Sequence, residues 1–64
     1  MLRIKETRES VGLTQKELAN TVGVSREYIS ALENGRYSPS LNLLKKIAKT
    51  LNVSVKDLIE DESA

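Results

Sequence analysis

Apolar residues recur along this chain in short clusters at helical spacing, and most clusters follow a side chain suited to starting a helix. Leu44, Ile47, Ala48 and Leu51 fall at i, i+3, i+4 and i+7, which gathers them on one face of a helix that Ser40, just after Pro39, is placed to cap. Thr14-Gln15-Lys16-Glu17 has the Thr-x-x-Glu form of a capping box, and Leu18, Ala19 and Val22 follow as an inward face. Ser25 caps a further helix, Arg26 to Glu33, that ends near Asn34-Gly35. A first helix is predicted from about Leu2 to Ser10, stopped at Gly12, and its apolar face is thin. Ser54-Val55-Lys56-Asp57 resembles a second capping box, and Val55, Leu58 and Ile59 give a fifth helix an apolar stripe before an acidic end expected to fray. No segment alternates as a strand would. The pattern predicts an all-α fold of five short helices, one domain over residues 1–64.

Gln15 to Asn34 carries a second pattern within the first. Ala19 is small where two crossing helices would touch most closely, and Gly23 can take the positive φ that a tight turn needs. Ile29 and Leu32 supply the second helix's inner face. Together these offsets predict a helix-turn-helix, a motif whose second helix commonly enters the major groove of DNA.

Composition removes much of the remaining chemistry. Among the 64 residues there is no Cys and no His, so disulfides, thiolate zinc sites, Ser-His-Asp triads and His-ligated metals are excluded, and no enzyme is expected. Glu60, Asp61 and Glu62 form an acidic cluster at the chain end, where carboxylates are ordinarily hydrated, and no metal or cofactor is assigned. With no long apolar run and no basic leader before one, neither a membrane span nor a signal peptide is expected; the chain reads as cytoplasmic. Nothing points to a small-molecule ligand.

The net charge of +1 conceals an uneven distribution. Residues 1–49 carry nine Lys or Arg against five Asp or Glu, whereas residues 50–64 carry one Lys against four acids. Phosphate attraction depends on the local field, so a basic front with an acidic rear permits DNA binding.

The run LTQKELANTVGVSREYISALENGRYSPSLNLLKKIAKTLNVSVKDLI resembles the lambda-repressor-like, XRE-type helix-turn-helix family of phage repressors, Cro proteins and small bacterial regulators. The likeness covers nearly the whole chain and rests on several blocks in register: the Leu-Thr-Gln opening, Glu17-Leu18-Ala19, Val22-Gly23-Val24-Ser25, Tyr28-Ile29-Ser30, Glu33-Asn34-Gly35 and Ile47-Ala48. Thr7 departs from it, standing where the family usually has an apolar residue.

The resemblance implies that helix 3 enters the major groove N-terminus first, with Arg26, Glu27, Ser30 and Ala31 facing base edges. Arg26 is the leading base reader, because its planar fork matches both guanine acceptors. Glu27 is suited either to accepting from a cytosine amine or to orienting Arg26 and favouring the helix N-terminus. Helix starts bear unpaired N–H groups and partial positive charge, so Thr14, Gln15, Ser25 and Asn42 are expected near phosphates. Gln15 is also implied to help orient a recognition residue, against the plainer reading of a solvated helix-start amide. Asn34, Arg36 and Tyr37 follow helix 3 where the family's loop lies along a phosphate strand, although Asn before Gly also suits any helix end. Tyr28 either reaches DNA or packs half-buried against helix 2. Lys45, Lys46 and Lys49 read as a solvated outer face of helix 4 in preference to a positive run aimed at DNA phosphate.

Arg8 and Glu33 match positions that pair between helix 1 and helix 3 in some family members, which gives them a structural role. Val53, Val55 and Ile59 are apolar residues left near the helix 4 to helix 5 corner, suited to a dimer contact or to completing the core. The function implied is a sequence-specific double-stranded DNA-binding regulator, a repressor acting as a homodimer on a palindromic operator. An antitoxin or restriction-modification controller would use the same groove chemistry. A protein-interaction module that has lost DNA is the alternative from another class, and Gln15, Arg26, Asn34 and Arg36 argue against it.

Overall fold

Four helices and one 3-10 turn make up the computed structural model, which describes residues 2–59: α1 (Ile4–Val11), α2 (Gln15–Val22), α3 (Arg26–Glu33), α4 (Leu41–Thr50) and the 3-10 turn Val55–Leu58. Side-chain caps mark most of the starts. The hydroxyls of Thr14, Ser25, Ser40 and Ser54 accept from the backbone N–H three residues on, at Glu17, Tyr28, Leu43 and Asp57. Two are reciprocal boxes, with Glu17 accepting from Thr14 N–H at 2.9 Å and Asp57 from Ser54 N–H at 3.1 Å. Gly23 ends α2 at φ +81°, and this left-handed residue turns the chain into Ser25 and α3.

The core forms where these faces meet. Ile4, Leu18, Ile29, Ile47, Leu51 and Leu58 are fully buried, joined by Ala19, Val22, Leu32, Leu44 and Ala48. Every helix contributes at least one of them, and α2 lies centrally, packed on both α3 and α4. Burying a Leu or Ile side chain contributes about 1.5–3 kcal/mol, and this layer is the main attraction opposing chain entropy.

Three expectations are corrected. The fifth helix is one 3-10 turn of four residues. Ile59, assigned to its apolar stripe, is extended at φ −102°, ψ 120° and 50% exposed. Leu2, assigned to the first turn of α1, instead pairs with Ile59 in an isolated antiparallel bridge, while Arg3 N–H donates to Leu58 C=O at 2.8 Å. Helix α1 therefore starts at Ile4, beyond this pairing, and runs one residue past Ser10. Thr7, the departure from the family pattern, is half-buried with its hydroxyl donating to Arg3 C=O at 2.7 Å, so the polar group is satisfied within α1. The acidic residues Glu60, Asp61 and Glu62 lie outside the described residues. No described helix is long and apolar enough to cross a membrane.

Candidate nucleic-acid interface

Helix α3 offers one face to the core through Ile29 and Leu32 and another outward through Arg26, Glu27, Ser30 and Ala31. Helical periodicity sets this division, because residues three and four apart share a face. Arg26 and Glu27 are exposed, whereas Ser30 and Ala31 are half-buried on the floor of a hollow that Asn34 and Arg36 also line. Asn34 Nδ2 lies 3.4 Å from Ser30 Oγ.

A chain of polar contacts ties this outer face to the interior. Glu33, at the end of α3, accepts from Arg8 Nε at 2.7 Å and Arg8 Nη2 at 3.2 Å. Arg8 Nη1 donates to Leu13 C=O at 2.6 Å, so the same guanidinium also fixes the connection between α1 and α2. The Glu33 hydrogen bond, opposed by burial and helped by the charges of Glu33 and Glu9, holds Arg8 above its ordinary pKa and keeps it a cation. Glu33 Oε1 accepts a third hydrogen bond, at 2.9 Å, from Gln15 Nε2, and Gln15 Oε1 in turn accepts from Arg26 Nη1 at 3.4 Å. Electrostatics dictates that orientation of the Gln15 amide: its NH2 meets the carboxylate and its carbonyl the guanidinium, whereas the flipped amide would be repelled at both ends. Arg26 Nη2 also lies 3.5 Å from Glu27 Oε2. Among the described residues, no buried side-chain polar atom lacks a partner.

The starts of α3 and α4 border a second cleft, lined by Ser25, Tyr28, Ser40, Asn42 and Lys46. The partial positive charges of two helix N-termini add there to the Lys46 ammonium, which makes the cleft suited to an anion. Lys46 lines this cleft, a placement that the sequence reading does not single out. Grouped with Lys45 and Lys49 as a solvated face, it stands one helical turn after Asn42, and that i+4 relation was the available signal. Tyr28 is half-buried and stacks on Tyr37, with ring centroids 5.8 Å apart and planes 21° from parallel. Tyr37 is 58% exposed, so the pair forms an aromatic wall between α3 and the following loop.

The remaining candidates are scattered. Thr14 is exposed at the start of α2, and its side-chain oxygen is already occupied in the capping box. Arg36 is exposed on the loop beside the α3 hollow. Val53 and Val55 are half-buried against the core, leaving Ile59 as the exposed member of the three.

Comparison with known proteins gives this arrangement a family. A family model described as helix-turn-helix matches residues 4–58. An uncharacterized HTH-type transcriptional regulator of Archaeoglobus fulgidus is 54% identical over 56 residues, covering 88% of this chain and 80% of that protein. The clp gene regulator ClgR of Corynebacterium glutamicum superimposes with a TM-score of 0.82 at 39% identity, covering 84% of this chain and 57% of the ClgR chain. The biofilm master regulator SinR of Bacillus subtilis, solved in complex with DNA, superimposes with a TM-score of 0.83 at 37% identity, covering 91% of this chain and 94% of the SinR chain. The chain belongs to the lambda-repressor-like, XRE-type helix-turn-helix family, whose members are DNA-binding transcription regulators and not enzymes.

Proposed function

We propose that the chain is a sequence-specific double-stranded DNA-binding regulator that represses transcription as a homodimer on a palindromic operator. The observation that carries this reading is the Arg26 guanidinium, presented at the start of α3 and linked through Gln15 to the buried Glu33. A base-reading group needs its donors held in place before docking, because each side chain ordered on binding subtracts from affinity. In the proposed complex α3 lies in the major groove, with Arg26 on a guanine and Glu27, Ser30 and Ala31 over neighbouring base edges. Thr14, Gln15, Ser25, Tyr28, Asn42 and Lys46 flank one phosphate strand, and Asn34, Arg36 and Tyr37 the other. Arg8 and Glu33 keep α1 and α3 in register without touching DNA.

One α3 offers few base contacts, and a two-fold pair doubles them, with half-sites about 34 Å apart or a multiple of that. Ile59, with Val53 and Val55 beside the core, is the proposed contact between copies. Repression follows where such an operator overlaps the polymerase site.

The test is selection of bound duplexes from a random pool at near-physiological salt with the purified chain. An enriched palindrome with half-sites about one turn apart is the expected result. A single enriched half-site discards the dimer, and no enrichment discards DNA binding in favour of a protein-interaction module.

A further inference from the structure

Two carboxylates occur between Ser25 and Thr50, Glu27 and Glu33, against five cations, Arg26, Arg36, Lys45, Lys46 and Lys49. Glu33 is hidden, its side chain 2% exposed and its oxygens taken by Arg8 and Gln15. Glu27 is the opposite case. Its side chain is 77% exposed, and it borders both hollows of the outer α3 face, one shared with Arg26 and Arg36 and the other with Arg36, Tyr28 and Tyr37. From α3 to α4 the surface proposed to meet a polyanion therefore carries one exposed carboxylate, in contact with Arg26 and bordering the hollows that Arg36 also lines.

A carboxylate at that place is not neutral toward DNA. It repels phosphate, and its contact with Arg26 competes with any acceptor the arginine would otherwise take. An ionised carboxylate has acceptor sites only. Opposite guanine N7 and O6 or thymine O4 it meets further acceptors in a site emptied of water, and such unpaired contacts are costly. Cytosine N4 presents a donor that relieves the mismatch, and adenine N6 does so only in part, because its N7 acceptor lies beside it.

We infer that Glu27 sets the sequence selectivity of this chain by penalty: it opposes alignments on DNA that set guanine or thymine acceptors against its carboxylate and favours the one that places a cytosine amine there. The inference rests on the DNA-binding reading and adds the base class that the second position of α3 accepts. Specificity here is a difference in affinity enlarged by weakening the wrong complexes. Arg26 supplies attraction to a guanine, and Glu27 removes the benefit when the neighbouring base is wrong.

The experiment compares the full chain with its Glu27→Gln variant on three duplex sets: the best selected operator, single-base replacements through each half-site, and random sequence. Glutamine keeps the size of the side chain and loses its charge, and position 27 is exposed, so circular dichroism and the thermal midpoint serve as checks on folding. For the unmodified chain, one half-site position is expected to prefer cytosine, with replacement by guanine or thymine weakening binding about tenfold or more and replacement by adenine weakening it less. Glu27→Gln is expected to flatten that position to about threefold and to raise affinity for random duplex about three- to tenfold, so the ratio of operator to random affinity falls. Equal gains on operator and random duplex with an unchanged base profile would reduce Glu27 to general repulsion and overturn the inference. Equal losses on both would make it a helix-start residue and overturn it equally. Absence of duplex binding by the unmodified chain would overturn the DNA reading itself, which separates the two failures.

Discussion

Arg8 and Glu33 are 25 residues apart in sequence and joined by two hydrogen bonds, with 9% and 2% of their side chains exposed. Taking two charges from water is costly, and the geometry offsets that cost only because each partner is also hydrogen-bonded elsewhere, Arg8 to Leu13 C=O and Glu33 to Gln15. The pair thus fixes where α3 ends relative to α1, and through Gln15 where Arg26 begins.

Removing one partner should therefore cost far more than removing both. Arg8→Met leaves the Glu33 carboxylate buried without its counter-ion and is expected to lose about 3–5 kcal/mol. The double variant Arg8→Met with Glu33→Leu, which buries no charge, should recover more than half of that loss. Urea unfolding of the two variants checks it, and equal losses would show that shape rather than charge is what the site requires.

Gln15 separates a stability effect from a binding effect. Gln15→Glu places a second carboxylate against Glu33 and should destabilise the fold more than Gln15→Ala, which leaves both hydrogen bonds from Arg8 to Glu33 intact. Gln15→Ala frees Arg26 and should lower the ratio of operator to random affinity. Thermal midpoints combined with competition binding distinguish the two, and the reverse order of stability would mean that the amide does not meet Glu33 in solution.

Arg26 and Arg36 should fail differently. Arg26→Ala is expected to weaken the best operator by about 5- to 150-fold, to spare random duplex, and to relax preference at one base pair of each half-site. Arg36→Ala should weaken both duplexes alike and flatten the salt slope by about one unit, as loss of a phosphate contact does. Titrations at several salt concentrations read both quantities. Loss of operator and random affinity in equal measure for Arg26→Ala would remove it as a base reader.

The two capping boxes predict the direction of an acid effect. The Thr14 backbone N–H and hydroxyl hold Glu17 below its ordinary value of 4.5, and those of Ser54 hold Asp57 below 3.8, against the opposing effect of burial. Folding lowers both pKa values, so the folded state binds fewer protons. This contribution to stability is complete above the ordinary values and is lost as pH falls through the lowered ones. The urea midpoint of Glu17→Gln with Asp57→Asn should consequently fall less steeply than that of the unmodified chain below about pH 5. Parallel curves would place the acid sensitivity in other carboxylates.

Local chemistry made much of the fold legible. The hydroxyl caps and the i, i+3, i+4 runs are chemical facts about neighbouring residues, so the starts of α2, α3 and α4 were readable to the residue. The last segment was misread for a related reason. A capping box and a three-residue stripe suit a 3-10 turn as well as an α-helix, and what stops the turn at Leu58 is the pairing of Ile59 with Leu2, 57 positions away. Distance in sequence also concealed parts of the candidate site. No pattern discloses that Glu33 is buried, or that Gln15 turns its NH2 inward and its carbonyl toward Arg26. Lys46 was read with its two neighbouring lysines because charge runs are ordinarily solvated, and only the facing start of α3 sets it apart.

The pairing of Leu2 with Ile59 and the hydrogen bond between Arg3 and Leu58 bring residues 58 and 59 back beside residues 2 and 3. Residues 2 to 59 consequently trace a nearly closed circuit. A bridge of a few glycines joining position 59 to position 2, with a new opening at Gly12, would keep α2 and α3 consecutive and translate α1 last. Such a permuted chain would preserve every contact described between α2 and α4, and α1 would become the final segment, docking through Ile4 in the core and Arg8 onto Glu33.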